Sequence, residues 1–161
     1  IPLKNIDYKQ HFYVHSPSYY IWPLEAHLIT LIVNHNDREE DSIKYMVETF
    51  VKNNRALQRY SKSFLEKYKK SCYSFIDRIL SFPKNEQLTV LTSYMNTWDN
   101  YAISIMYLQM INPVNNDFYK KLVTLLTLNI HPDPEKRLTI IETKDKLQRI
   151  FVNLAIENII L

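Results

Sequence analysis

Ser42-Ile43-Lys44-Tyr45-Met46-Val47-Glu48-Thr49-Phe50 opens the stretch that decides the fold class. Ile43, Met46, Val47 and Phe50 begin an apolar series that continues through Leu57, Phe64, Tyr68, Cys72, Phe75, Ile79 and Leu80. Steps of three, four and seven place these side chains on one face of a helix. As a single rod the segment would measure about 57 Å at 1.5 Å per residue. That exceeds most small domains, so a break is predicted near Asn53-Asn54. Asp37 is placed to cap the run ahead of Arg38-Glu39-Glu40-Asp41, whose carboxylates favour a helix start. Pro83 ends it.

Working outward, residues 1–22 hold Pro2 and Pro17 among aromatic side chains and histidines, with no helical period, and read as extended or irregular. Pro23 suits the first turn of a helix running to about Asn34. Further helices are predicted over about 86–94, 97–111 and 115–130, and from about 138 to the end. The last of these is expected to bury Leu147, Ile150, Phe151, Leu154 and Ile159. Its apolar Ile160-Leu161 end should dock on the body of the protein or meet a partner. Asn112-Pro113-Val114-Asn115-Asn116 and His131-Pro132-Asp133-Pro134 read as ordered turns. Strand signals are weak and there is no repeat, so the reading is all-α, with one helical domain over 1–161.

Composition narrows the function classes. Hydrophobic residues make up 46% of the chain and charged ones 23%, a globular and not a disordered balance. The net charge of +3 is too modest to point to nucleic acid. Cys72 is the one cysteine and cannot close an internal disulfide. No apolar run approaches the roughly 18–20 residues of a membrane span. Ile1-Pro2-Leu3-Lys4 lacks the charged start and apolar block of a signal peptide, and an intracellular location is expected. A start at isoleucine reads as a cut or processed piece of something longer. Glycine is absent, which excludes a Walker loop, a Rossmann fingerprint or a kinase Gly-rich loop from these residues. Abundant Asn, Lys, Ile and Tyr is what AT-rich coding would yield.

Three motifs then stand in order: Tyr19-Tyr20-Ile21-Trp22-Pro23-Leu24-Glu25, Trp98-Asp99-Asn100-Tyr101-Ala102-Ile103-Ser104-Ile105-Met106, and Asp133-Pro134-Glu135-Lys136-Arg137-Leu138-Thr139. In that order they resemble three anchors of the C-terminal lobe of eukaryotic-type serine/threonine protein kinases. These are the Y-x-A-P-E end of the activation loop, the D-x-[WY]-[SA]-L-G-[VI] start of the central helix and the D-P-x-x-R-x-T signature. The resemblance implies the helical C-lobe of the protein kinase-like fold. Residues 1–36 would be an activation-segment-like region and first helix, 37–83 an enlarged helical insertion, and 84–161 the core helices. It also implies a buried ion pair between Glu25 and Arg137, for which a planar guanidinium is the suitable bidentate partner. Asp99 would accept backbone N–H groups from a catalytic loop; a local helix cap is its other reading. Ser16, Ser18 and Tyr20 would lie near a peptide-docking loop. The chain departs from the family in Pro23-Leu24-Glu25 for Ala-Pro-Glu and in Ser104 for glycine. The stretch from Glu25 to Asp99 is also unusually long, and that from Met110 to Asp133 is short.

No His-Arg-Asp loop, Asp-Phe-Gly triplet or phosphate-coordinating lysine motif is present. No catalytic residue is therefore assigned, and no cofactor is expected in this chain; Mg·ATP would enter only through an upstream kinase region. The expected partner is another protein or an upstream kinase lobe. With AT-rich coding, the resemblance suggests a large DNA virus or a similar source, and a cytoplasmic or virion location. The competing class is a non-enzymatic helical scaffold, derived from a pseudokinase or unrelated to kinases. Arg55, Arg59 and Lys62, with Lys52 and Lys69, form a basic face for an acidic partner or nucleic acid, or a solvated face interrupted by Glu66. His11, His15, His27, His35 and His131 do not converge as metal ligands and read as loop or surface side chains. Cys72 reads as an inert buried thiol.

Overall fold

Every residue from Leu24 to Ile32 is buried, and these residues form the centre of the molecule. The computed structural model describes residues 7–112 and 116–159, with side chains through Val152. The central residues belong to α2 (Leu24–His35), for which Pro23 is the N-cap. The helix ends where Asn36 adopts a left-handed conformation (φ 47°) and donates its N–H to the Ile32 carbonyl at 3.0 Å. Glycine usually occupies such a position; in a chain without it, asparagine is the residue that tolerates the geometry. Before it, α1 (Tyr8–His11) is a single turn, where the sequence predicts irregular chain. It forms because the Asp7 carboxylate accepts the N–H groups of Lys9 and Gln10.

The long apolar run divides into α3 (Glu40–Asn53) and α4 (Lys62–Leu80). Asn54 makes the break. It is buried, its Oδ1 accepts the Leu57 N–H at 3.2 Å, and its Nδ2 reaches the Tyr101 hydroxyl at 3.5 Å. Ser61 then caps α4 by accepting the Phe64 N–H. Asp37 is not the cap of α3, a correction to the sequence reading. Glu39 holds that position, and Asp37 instead accepts the Glu39 N–H at 2.8 Å.

The remaining helices are α5 (Lys84–Ser93), α6 (Trp98–Met110), α7 (Asp117–Asn129) and α8 (Ile140–Ile159). Among the described residues there is no strand. Helix α2 packs on α1, α3 and α5, α4 packs on α3 and α5, and α7 lies between α6 and α8. Met46, Val47 and Phe50 of α3 and Phe75, Ile76 and Ile79 of α4 share one core with α2 and with Tyr101 and Ile105 of α6. Residues 37–83 are thus built into the centre and are no appendage.

Helix α8 begins with a reciprocal cap: Thr139 Oγ1 accepts the Glu142 N–H at 3.2 Å, and Glu142 Oε2 accepts the Thr139 N–H at 2.8 Å. It is covered less than predicted. Leu147 and Ile150 are half-buried, but Phe151 is 52% exposed and lies tilted against the Phe118 ring (5.6 Å between centroids), because α8 packs chiefly on one neighbour, α7. The predicted burial of Leu154 and Ile159, and the Ile160-Leu161 end, lie outside the described side chains. Among the described residues no helix is long and apolar enough to cross a membrane.

Candidate functional site

Glu25 stands in the first turn of α2, and Arg137 follows the short 3-10 turn Pro134–Lys136 that leads into α8. The structure brings them together as a bidentate pair, Nη1 to Oε1 at 2.6 Å and Nη2 to Oε2 at 2.9 Å. The Arg137 side chain is 1% exposed and that of Glu25 0%. The rest of the guanidinium is equally occupied. Nε donates to the His131 carbonyl (2.8 Å), Nη1 also to Thr97 Oγ1 (3.0 Å), and Nη2 also to the Pro132 carbonyl (3.4 Å). Each of the five N–H donors of an arginine therefore has an acceptor. The Tyr101 ring covers the cation at 4.9 Å from Cζ to its centroid. Burial by itself would lower the Arg137 pKa, but the Glu25 carboxylate outweighs it and holds the guanidinium above its ordinary value. Sealed from solvent, this pair can bind no ligand. What it can do is fix the turn before α8 to the start of α2.

A second cation fastens the same turn from outside. Arg78 of α4 contacts Asp133 (Nη2 to Oδ1, 2.6 Å) and also Glu135. Tyr94 donates its hydroxyl to Glu135 Oε1 at 2.7 Å. Burial, and then the neighbouring Glu135 carboxylate, push the Tyr94 phenol up to about 12. Sequence reasoning missed Arg78 and Tyr94. The available signal for Arg78 was its place between Phe75 and Ile79, both core positions, which brings a cation to the core's edge.

Asp99 is at the helix start, and the catalytic loop it would brace in the resemblance is not among these residues. Asp99 itself is exposed in the first turn of α6, where its charge suits the helix N-terminus. The neighbouring Asn100 makes the connections instead. Its Nδ2 donates to the Leu138 carbonyl (3.1 Å) and to Thr143 Oγ1 (2.9 Å), while its Oδ1 accepts from Asn129 Nδ2 (3.3 Å). One amide thereby joins α6, α7 and α8.

The other predicted residues lie apart from this cluster. Ser16 and Ser18 face one another (3.4 Å between hydroxyls), and Ser18 is exposed. Tyr20 is half-buried, with its hydroxyl donated to Gln109 Oε1 at 3.1 Å. Arg55, Arg59 and Lys62 do not share a helix face, because Arg55 and Arg59 lie in the connection between α3 and α4 and Lys62 opens α4. Arg59 donates to the Leu108 carbonyl at the end of α6, and Lys69 pairs with Glu48 at 2.8 Å. Cys72 is fully buried, and burial raises its thiol pKa far above the ordinary value.

His27 corrects the surface reading of the histidines. It is fully buried in α2 between Trp22 and Phe50, and among the described residues neither ring nitrogen has a well-formed hydrogen bond, although the Tyr19 and Trp22 backbone lies near enough to oppose part of the pKa shift. Burial, with a smaller push from His15, lowers its pKa to about 4. Among the described residues no group of His, Cys, Asp and Glu side chains is arranged to hold a metal ion. Helix α6 presents Ile103, Met106, Tyr107 and Met110, each at least half exposed, along one stripe. No family model matches the chain, and neither a curated protein nor a solved structure matches it.

Proposed function

We propose that this chain is the helical C-terminal-lobe portion of a serine/threonine protein-kinase-like protein, with a packing and protein-binding role and no catalytic competence of its own. The observation that carries this reading is the sealed Glu25–Arg137 pair. It links the first and the last of the three kinase-like motifs, across 112 positions of sequence. A pair this costly to desolvate is kept where it fixes an arrangement, and here it fixes the segment after Tyr19-Tyr20 against the turn before α8. The phosphate-handling parts would then belong to a preceding segment of a longer protein, since phosphoryl transfer needs Mg²⁺, phosphates and acceptor hydroxyl positioned together. The apolar stripe on α6 suits the same reading, with that preceding segment as its cover.

The second reading is a non-enzymatic helical interaction protein. The occupied Tyr20 hydroxyl favours it, because a tyrosine already bonded to Gln109 is less available to a substrate peptide. Sequencing the reading frame upstream of the Ile1 codon separates the two. The kinase-like reading expects a His-Arg-Asp loop followed by an Asp-Phe-Gly triplet there. A start codon directly before Ile1 would end it and leave the scaffold.

A further inference from the structure

Where α7 and α8 run side by side they leave a groove of about 400 Å³. Lys120 and Lys121 rise from α7, and Lys146 and Arg149 from α8, along its two sides. Leu128 and Ile150 lie between them, and Leu128 is 43% exposed. No carboxylate lines this groove, so its four cations face it unopposed from within. Among the described residues, Lys121, Lys146 and Arg149 have no carboxylate within ion-pair distance. Lys120 has a long contact with Asp117 (3.7 Å) on an exposed helix face, which is worth little. Glu142, one turn before Lys146, is committed to the Thr139 cap.

We infer that this groove is a docking site for an acidic amphipathic helix of a partner protein. Its chemistry has two parts, and the occupant must answer both. Aliphatic side chains at helical spacing would cover Leu128 and Ile150, and carboxylates on the flanks of the same helix would meet the lysines and Arg149. A nucleic acid answers only the charge, for the floor is aliphatic and offers no aromatic ring on which a base could stack. A lipid surface presents no row of side chains to lie along the groove between α7 and α8. The inference stands apart from the kinase-like reading, since it uses none of the three motifs.

Fluorescence anisotropy with a labelled helical peptide tests it, using leucines at i, i+3, i+4 and i+7 and glutamates on the flanks. Saturable binding is expected, weakening as salt is raised. The Lys121→Glu/Lys146→Glu/Arg149→Glu variant should lose about tenfold or more in affinity, as should Leu128→Asp. The equally charge-reversed Lys62→Glu/Lys67→Glu/Lys70→Glu variant on α4 should bind like the parent. All of these positions are exposed, and circular dichroism melting verifies that each variant is folded. The inference is overturned if the amphipathic peptide fails to saturate or if the groove variant binds as well as the parent. It also fails if a leucine-free acidic peptide, a single-stranded thymidine oligonucleotide or phosphatidylserine vesicles bind as tightly.

Discussion

Arg137 and His27 are both buried, and the fold treats them in opposite ways. Arg137 keeps its charge because each donor is matched, so removing its partner leaves an isolated ion in the core. Glu25→Ala or Arg137→Met should each lower the free energy of unfolding by about 3–5 kcal/mol, read as a fall in urea midpoint at unchanged m-value. The double variant Glu25→Leu/Arg137→Met should lose clearly less than the two singles together, because no stranded charge remains. His27 is held neutral instead. The unfolded chain takes up a proton near pH 6.5 and the folded one only near pH 4. Between those values the unfolded state binds more protons, so stability is full above pH 6.5 and is lost as pH falls. The loss should approach about 3 kcal/mol by pH 4. Chemical denaturation at pH 7 and pH 4.5 should show this fall, and a His27→Leu variant should flatten much of it. Partial burial also lowers His15 and His131, which will leave a residual slope. An unchanged slope in His27→Leu would mean that His27 is not the group responsible.

At the scale of helices, the physics that ends an element was visible before its neighbours were. The period from Ile43 to Leu80 gave the helical class, and the excessive length of a single rod called for a break near Asn53-Asn54, where Asn54 makes it. Thr139, followed three residues later by Glu142, closes the start of α8 with two reciprocal bonds. Thr139→Ala should therefore lower stability by about 1 kcal/mol, measurable as a drop in thermal midpoint. What the sequence concealed was rotation about each helix axis. Asp99 and Asn100 are adjacent and point about 100° apart; only the placement of α7 and α8 decides that the amide, not the carboxylate, faces the junction. The basic residues were spread for a related reason, since Arg55 and Arg59 lie in the connection between α3 and α4 and Lys62 opens α4. For His27 a signal did exist. Leu24, Leu28, Ile29 and Leu31 surround it in sequence, and a helix apolar on every side has no surface face to offer a histidine.

Across the whole molecule, the central helix is made early in the chain and fastened late. Helices α3 and α4, which interrupt the spacing expected of a kinase-like lobe, fill the core between these two events with Phe50, Phe75 and Ile79. No reading of composition could have shown that, because an inserted pair of helices and an integral pair carry the same apolar period. The order of synthesis follows from the same arrangement. Glu25 leaves the ribosome 112 residues before Arg137. At about 5–20 residues per second that is a wait of roughly 6 to 22 seconds. Until then α2 is an apolar segment bearing a carboxylate with no counter-ion, and it must stay hydrated or be shielded by a chaperone. A nascent chain stalled short of the last turn would close α3 and α5 over that carboxylate with no guanidinium to meet it.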